Sequence, residues 1–157
     1  MFFFFNLKIN KMNNLNFYRS LIFLSLLLIS SCCIFQSDPP DLRITGQNYP
    51  GTVNANQRFD LEFIVGNFSS GDCDAETSSQ GVVNLKLINR ATGVVQVNDT
   101  ETLNGLSNNS NQMFTFSVVI GPEGTGTYDL IFVVDPNNTT GDTDRNNNTQ
   151  TGTIVVN

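Results

Sequence analysis

The sequence contains no histidine and no tryptophan among its 157 residues. Histidine is the commonest general base and metal ligand, so Ser–His–Asp triads and histidine-type zinc sites are excluded. Long helix-favouring runs of Ala, Glu, Leu and Lys are also missing, and the polar residues are mostly Asn, Thr, Ser and Gly, which favour turns and strands. We therefore expect an all-β protein with no enzymatic activity and no cofactor.

Positive charge is scarce beyond the first 31 residues. From Cys32 onward the chain has 14 acidic residues against five basic ones, a net charge of −9, whereas the whole chain carries −6. Proteins that bind nucleic acid need a basic face to neutralise phosphates. We therefore expect no nucleic-acid partner.

The main apolar run, Leu21–Ile29, is too short for a permanent membrane helix. It has nine residues, whereas a bilayer core of about 30 Å needs about 20. Arg19 precedes the run and small residues follow it, which is the three-part pattern of a secretory signal peptide. We expect residues 1–31 to be this signal, with translation starting at either Met1 or Met12.

The end of this signal, Ile29-Ser30-Ser31-Cys32, resembles the lipobox of bacterial lipoproteins. The resemblance implies transfer of diacylglyceryl to Cys32, cleavage before it and acylation of its amine. Several acyl chains make a stable anchor, since each buried methylene contributes about 0.8 kcal/mol. We expect a lipid-anchored envelope protein that faces the periplasm or the cell exterior, with residues 32–40 as the tether between membrane and domain.

Cysteine is otherwise rare, with only Cys33 and Cys73 left once Cys32 is lipidated. These two either form a disulfide in an oxidising compartment or both remain free. Because Cys33 lies in the expected tether, we favour two free thiols.

Apolar residues recur at every second position from residue 41 onward, between clusters of turn residues. Phe59, Leu61, Phe63 and Val65 are one example, and such alternation is typical of a strand with one buried face. Regular spacing of these runs favours an immunoglobulin-like antiparallel β-sandwich of about seven strands over residues 41–157. The predicted strands lie at Leu42–Ile44, Phe59–Val65, Val83–Leu87, Val94–Val97, Phe114–Ile120, Tyr128–Val134 and Thr153–Val156.

Tyr128 directly follows a predicted corner, Gly121–Gly124, at the start of the penultimate strand. Immunoglobulin-like sandwiches place a tyrosine there whose hydroxyl bonds to upstream backbone. The alternative is a tyrosine held only by packing of its ring. We predict the hydrogen-bonded corner.

Several short motifs follow one another in a characteristic order. They are Pro40-Asp41-Leu42, Val65-Gly66-Asn67, Gly126-Thr127-Tyr128, and Val134-Asp135-Pro136-Asn137-Asn138 followed by Asp144-Arg145-Asn146-Asn147-Asn148. Over Pro40–Asn157 this order resembles the CARDB family, the cell-adhesion-related domain found in bacteria, although Asp144-Arg145 replaces a more usual Glu-rich segment. The resemblance implies an immunoglobulin-like module of surface or secreted proteins, without catalytic residues.

Oxygen-bearing side chains are concentrated in the last predicted loop, Asp135–Asn148. Calcium takes roughly six to eight oxygen ligands, and Asp142, Asp144 and Asn146 have the spacing of a calcium loop, with Asp135 as a further candidate. The glycine and the bidentate glutamate of such a loop are both missing, whereas Asn and Asp also cap their own backbone in Asx-turns. We predict a structural turn without a tightly bound metal.

These expectations together describe a cell-envelope lipoprotein whose non-catalytic, adhesion-type module contacts a surface protein or glycan. The alternative is a structural lipoprotein whose sandwich docks onto an envelope partner protein. An exposed apolar patch or an exposed edge strand would favour docking. Two carboxylates converging in a cleft would instead favour an enzyme.

Overall fold

The computed structural model describes residues 38–69 and 76–157. The expected signal peptide, Cys32, Cys33 and Cys73 lie outside the described residues, so lipidation and cysteine pairing stay predictions. Within the described ranges no helix is long and apolar enough to span a membrane.

Eight strands and two short 3-10 turns make up the regular structure of the described residues. The turns cover Pro122–Gly124 and Arg145–Asn147. The strands are β1 (Leu42–Asn48), β2 (Thr52–Val53), β3 (Arg58–Asn67), β4 (Gly81–Asn89), β5 (Val95–Leu103), β6 (Asn111–Val119), β7 (Gly126–Val134) and β8 (Thr149–Val156).

The strands form two sheets that enclose one hydrophobic core. A three-stranded antiparallel sheet has the order β1-β3-β6. A five-stranded sheet has the order β2-β8-β7-β4-β5, and its pairs are antiparallel except for the parallel pair β2–β8. This arrangement confirms the predicted immunoglobulin-like β-sandwich and adds one short parallel strand to it.

Phenylalanine side chains join the two sheets across the core. Phe63 of β3 stacks on Phe132 of β7, with ring centroids 4.1 Å apart and planes 5° from parallel. Phe114 and Phe116 of β6 contact the same ring at centroid distances of 6.3 and 6.1 Å. Since each fully buried side chain of this size contributes about 1.5–3 kcal/mol, these contacts supply much of the cohesion between the sheets.

Four strands differ clearly from the sequence prediction, of which β1 continues to Asn48 instead of ending at Ile44. The prediction contains no strand at β2, because two residues are too few to show alternation; β2 forms by pairing Thr52 and Val53 with the end of β8. β5 continues to Leu103 instead of ending near Val97, and β8 begins at Thr149 instead of Thr153. The added residues in β5 and β8 are mostly polar and partly exposed, so they lack the apolar alternation on which the prediction depends.

The loops gather at two opposite ends of the sandwich. The proximal end, where the described chain begins, contains the segments 76–80, 104–110 and 135–148. The distal end contains the segments 90–94 and 120–125. All the loop residues singled out from the sequence as calcium candidates therefore lie at the proximal end, whereas Tyr128 lies at the distal end.

Candidate functional site

Asn67 is the central polar residue of the proximal end. It is completely buried, its Oδ1 accepts from the Asp41 backbone amide at 3.1 Å, and its Nδ2 donates to the Glu76 and Leu106 carbonyls at 3.0 and 2.8 Å. Buried backbone groups that lack partners are costly, so this amide holds three chain segments together. The sequence motif marked Asn67 only as a strand end, since its partners are distant along the chain.

Residues of its own loop hold the Asp135 carboxylate by hydrogen bonds. Its backbone has a φ of 45°, which Asp tolerates better than most residues. The carboxylate accepts bonds of 2.8–3.0 Å from the amides and hydroxyls of Thr139 and Thr140. Burial tends to raise the pKa of Asp135, but these four donor groups outweigh it and lower the pKa below its usual value.

Asp144 and Asn146 form a local turn. The Asp144 Oδ1 accepts from the Asn146 backbone and side-chain nitrogens at 3.2 and 3.1 Å and caps the 3-10 turn. Arg145 in that turn donates to the Asp135 carbonyl at 2.7 Å. This is Asx-turn geometry, in which the Asp144 oxygen proposed from spacing already accepts protein N–H groups.

Asp142 is the most buried carboxylate of the loop after Asp135. It is 5% exposed, and it accepts from the Asp144 amide at 3.0 Å and from the Asn148 side chain at 2.7 Å. Burial raises the pKa of Asp142, and the nearby charge of Asp41 raises it further. Among residues 38–69 and 76–157, no three Asp, Glu or Cys side chains come together as a metal-holding group.

Tyr128 has the geometry expected of a tyrosine corner at the distal end. Its buried hydroxyl donates to the Gly124 carbonyl at 2.6 Å. Gly124 is itself buried, and a side chain there would collide with Ile120 and crowd the hydroxyl. The bond therefore pins the 3-10 turn that carries the chain from one sheet to the other; its energetic contribution stays a prediction.

An open groove of about 370 Å³ runs along the outer face of the five-stranded sheet. Arg90 forms an ion pair with Asp129, to which its Nε donates at 2.9 Å, and also donates to the Thr153 hydroxyl at 3.0 Å. Ile131 and Thr151 continue the groove. These side chains belong to β7, to β8 and to the turn that follows β4. The sequence interpretation did not find them because outward-facing polar residues have no distinctive pattern.

A smaller groove of about 190 Å³ lies on the outer face of the three-stranded sheet. Ile64 of β3 and Met113 of β6 are cross-strand partners there, beside Gly46 of β1. Met113 is 62% exposed, and Glu62 and Asn48 line the polar side of the groove. The sandwich thus carries one groove of mixed polar and apolar character and one mainly apolar groove on opposite faces.

Solved structures of other proteins have the same fold as this chain. The CARDB domain of a Pyrococcus furiosus protein, crystallised in complex with di-metal ions, has a TM-score of 0.54 and 22% identity over 76% of this chain and 94% of that one. A domain of a predicted cell surface protein from Methanosarcina acetivorans has a TM-score of 0.54 and 24% identity, covering 75% and 92% of the two chains. Each of these two likenesses shows the fold alone.

The same fold occurs inside a larger enzyme. A β-glucosidase from Listeria innocua, solved with isofagomine, matches with a TM-score of 0.51 and 12% identity over 74% of this chain but only 16% of the enzyme. The similarity therefore concerns one domain of that protein. No curated protein gives a significant match to this chain.

The sequence itself supplies the family. The CARDB family model matches residues 39–152, which is most of the chain and almost the whole described sandwich. The chain belongs to the CARDB family.

Proposed function

We propose that this protein is a lipid-anchored envelope protein whose CARDB domain binds a glycan or protein at the cell surface without catalysing a reaction. Membership of the CARDB family supports the proposal, as does the predicted surface location of the Methanosarcina acetivorans relative. The leader and Ile29-Ser30-Ser31-Cys32 support export and anchoring.

The groove on the five-stranded sheet is the observation that carries the binding function. Arg90, Asp129, Thr151 and Thr153 present donors and acceptors along an exposed, concave surface. The hydroxyl groups of a glycan and the backbone of a peptide are both recognised by such groups, and Ile131 adds an apolar contact between them. Backbone pairing holds the strands, so the groove is formed before a ligand arrives.

Binding by the mature chain, with Cys32→Ser to keep it soluble, tests this proposal. Immobilised envelope glycans and purified surface proteins are the ligands, and Arg90→Ala/Thr153→Ala is the groove variant. We expect this variant to bind at least tenfold more weakly, which corresponds to about 1.4 kcal/mol. The matched control, Arg58→Ala/Thr115→Ala, removes the same residue types from exposed positions on the other sheet and should bind like the parent.

A structural docking role is the second candidate, and the exposed Met113 beside the partly buried Ile64 favours it. Met113→Lys in the same assay separates the two roles. If this variant loses protein binding while the Arg90→Ala/Thr153→Ala variant keeps it, the docking role replaces the groove-binding role. Equal binding by all variants would contradict both.

A further inference from the structure

The strand β6 forms an open edge of the three-stranded sheet. It pairs with β3 at every position from Asn111 to Val119 without a bulge, and no other described strand pairs with it. The Asn67 amide donates to the Ser110 carbonyl at 3.1 Å just before this run. Because bonded and non-bonded positions alternate in an antiparallel pair, every second residue of β6 directs its backbone N–H and C=O away from β3. These residues are Met113, Thr115, Ser117 and Val119.

The open edge of β6 lacks the features that protect the other sheet edges. β1 is interrupted by a register shift between Ile44 and Gly46, and β2 has only two residues. β5 carries Asp99 and Glu101 on its core-facing side, opposite buried residues of β4. Residues 111–119 contain no charged residue, no proline and no glycine. A long edge without such protection favours pairing with a further strand.

β5 of the other sheet lies across from this open edge. The Gln112 side chain connects the two strands, since its Nε2 donates to the Thr102 carbonyl at 3.0 Å and its Oε1 accepts from the Asn104 amide at 2.9 Å. Three strands face five, so the core-facing side of β5 is incompletely covered, and Asp99 is exposed and Glu101 partly exposed. A strand added to β6 would lie about 4.8 Å beyond it and cover these two carboxylates.

Asp99 and Glu101 form no ion pair within the described residues. The basic side chains of the sandwich lie elsewhere, in other ion pairs, in the last loop or on the outer faces of the sheets; they are Arg43, Arg58, Lys86, Arg90 and Arg145. The segments 32–37 and 70–75 contain no basic residue. Two like charges on one face of a strand therefore lack a cation, and an added strand can supply it.

We propose that β6 accepts an added strand from a partner protein, an extended segment that carries Lys or Arg at alternate positions. The backbone groups of Met113, Thr115 and Ser117 would pair with this segment, and its basic side chains would point inward to Asp99 and Glu101. Stacked sheets lie about 10 Å apart, a distance that a lysine or arginine and a facing carboxylate side chain span together. The site does not depend on ligand binding in the groove at the five-stranded sheet.

A second copy of β6 fits this edge less well than a basic segment. Its core-facing side chains are Phe114, Phe116 and Val118. These rings would lie against the two carboxylates, remove them from water and leave them without a partner, which is unfavourable. The net charge of −9 from Cys32 onward also opposes association of two copies.

Binding of a synthetic peptide by the mature chain, with Cys32→Ser to keep it soluble, tests the proposal. The probe is a fluorescent peptide as long as β6 with Thr and Lys at alternate positions, and fluorescence anisotropy at physiological ionic strength measures its binding. We expect saturable binding of this peptide and none of a peptide with Glu in place of Lys. Only one edge of an added strand faces β6, so methylation of one alternate set of backbone nitrogens should abolish binding and methylation of the other set should not.

Two variants of the protein locate the peptide. Thr115→Pro removes a backbone N–H at the open edge and leaves the bonds to β3 in place, since proline is tolerated on edge strands. It should weaken binding at least tenfold, whereas Thr115→Val keeps the N–H and should bind like the parent. Asp99→Asn/Glu101→Gln leaves the backbone unchanged and should also weaken binding at least tenfold. Its matched control, Asp60→Asn/Glu62→Gln, makes the same charge change on β3 and should bind like the parent.

Several results would overturn the proposal. They are the absence of saturable binding by the Lys peptide, equal behaviour of the two methylated peptides, and equal affinity of Asp99→Asn/Glu101→Gln and Asp60→Asn/Glu62→Gln. Loss of peptide binding in Arg90→Ala/Thr153→Ala would place the peptide in the groove and would also overturn strand addition at β6. Melting curves show whether Thr115→Pro is folded; if it is not, the Asp99→Asn/Glu101→Gln variant still decides.

Discussion

Single polar side chains decide the geometry at both ends of this sandwich. Tyr128 was predictable because its role depends on a corner only four residues upstream, and the Gly121–Gly124 turn is visible in the sequence. Asn67 and the contact between Asp41 and Asn147 were not predictable, since their partners lie 39 and 106 residues away. Local spacing identified Asp142 as a polar loop residue but could not reveal its distant neighbours.

Replacing Tyr128 with phenylalanine isolates the hydrogen bond of the corner. The ring stays in the core, but the buried Gly124 carbonyl loses its donor. We expect Tyr128→Phe to lower the free energy of unfolding by about 1–3 kcal/mol, the cost of an unsatisfied buried acceptor. Denaturant titration measures this change as a lower midpoint at constant slope.

Tyr49→Phe is the matched control for the corner. The hydroxyl of Tyr49 packs beside Gly152 and makes no hydrogen bond within residues 38–69 and 76–157. Its removal should therefore leave the midpoint nearly unchanged. If both variants unfold at the parent's midpoint, the corner bond contributes nothing to stability.

The position of each strand could be predicted from the sequence only where its apolar and polar residues alternate. The strands β3, β4, β6 and β7 bury every second residue, and the sequence shows this directly. β5 is an edge strand with one inward-facing side that is only partly covered, so its polar half resembles a loop. The two-residue β2 exists only through its pairing with β8.

The polar half of β5 affects whether this edge of the sheet can pair with a strand of another molecule. Asp99 and Glu101 lie opposite the buried residues Leu85 and Val83, so their side chains share the core-facing side of the sheet. Burial raises the pKa of Glu101, and the charge of Asp99 adds to this shift. Inward-pointing charges on an edge strand prevent another strand from pairing there.

Neutralising these two charges should expose the edge to pairing. We expect Asp99→Thr/Glu101→Thr to form dimers or larger species at concentrations where the parent is monodisperse, measured by sedimentation velocity. Asp60→Thr/Glu62→Thr makes the same change in net charge on the central strand β3, which has no free edge, and serves as the control. If both variants associate to the same extent, the change in net charge alone explains the association.

At the scale of the whole molecule, the fold constrains how an anchored domain would be presented. Only six peptide bonds separate Cys32 from Asp38, so these residues lie at most about 22 Å apart. A lipid on Cys32 would therefore hold the proximal end near the membrane. Arg90 and its groove belong to the distal half, which would face outward toward a ligand.

This arrangement depends on lipidation of Cys32, which can be tested in cells. Ile29-Ser30-Ser31 places small residues before Cys32, whereas Cys33 is preceded by another cysteine and is a poorer acceptor. We expect Cys32→Ser to lose labelling by a fatty-acid analogue and to remain uncut by the lipoprotein peptidase, while Cys33→Ser is labelled and cut normally. Labelling that persists in Cys32→Ser would disprove the anchor. Loss of labelling in both variants would show that lipidation requires both cysteines, so the start of the tether could not be assigned to Cys32 alone.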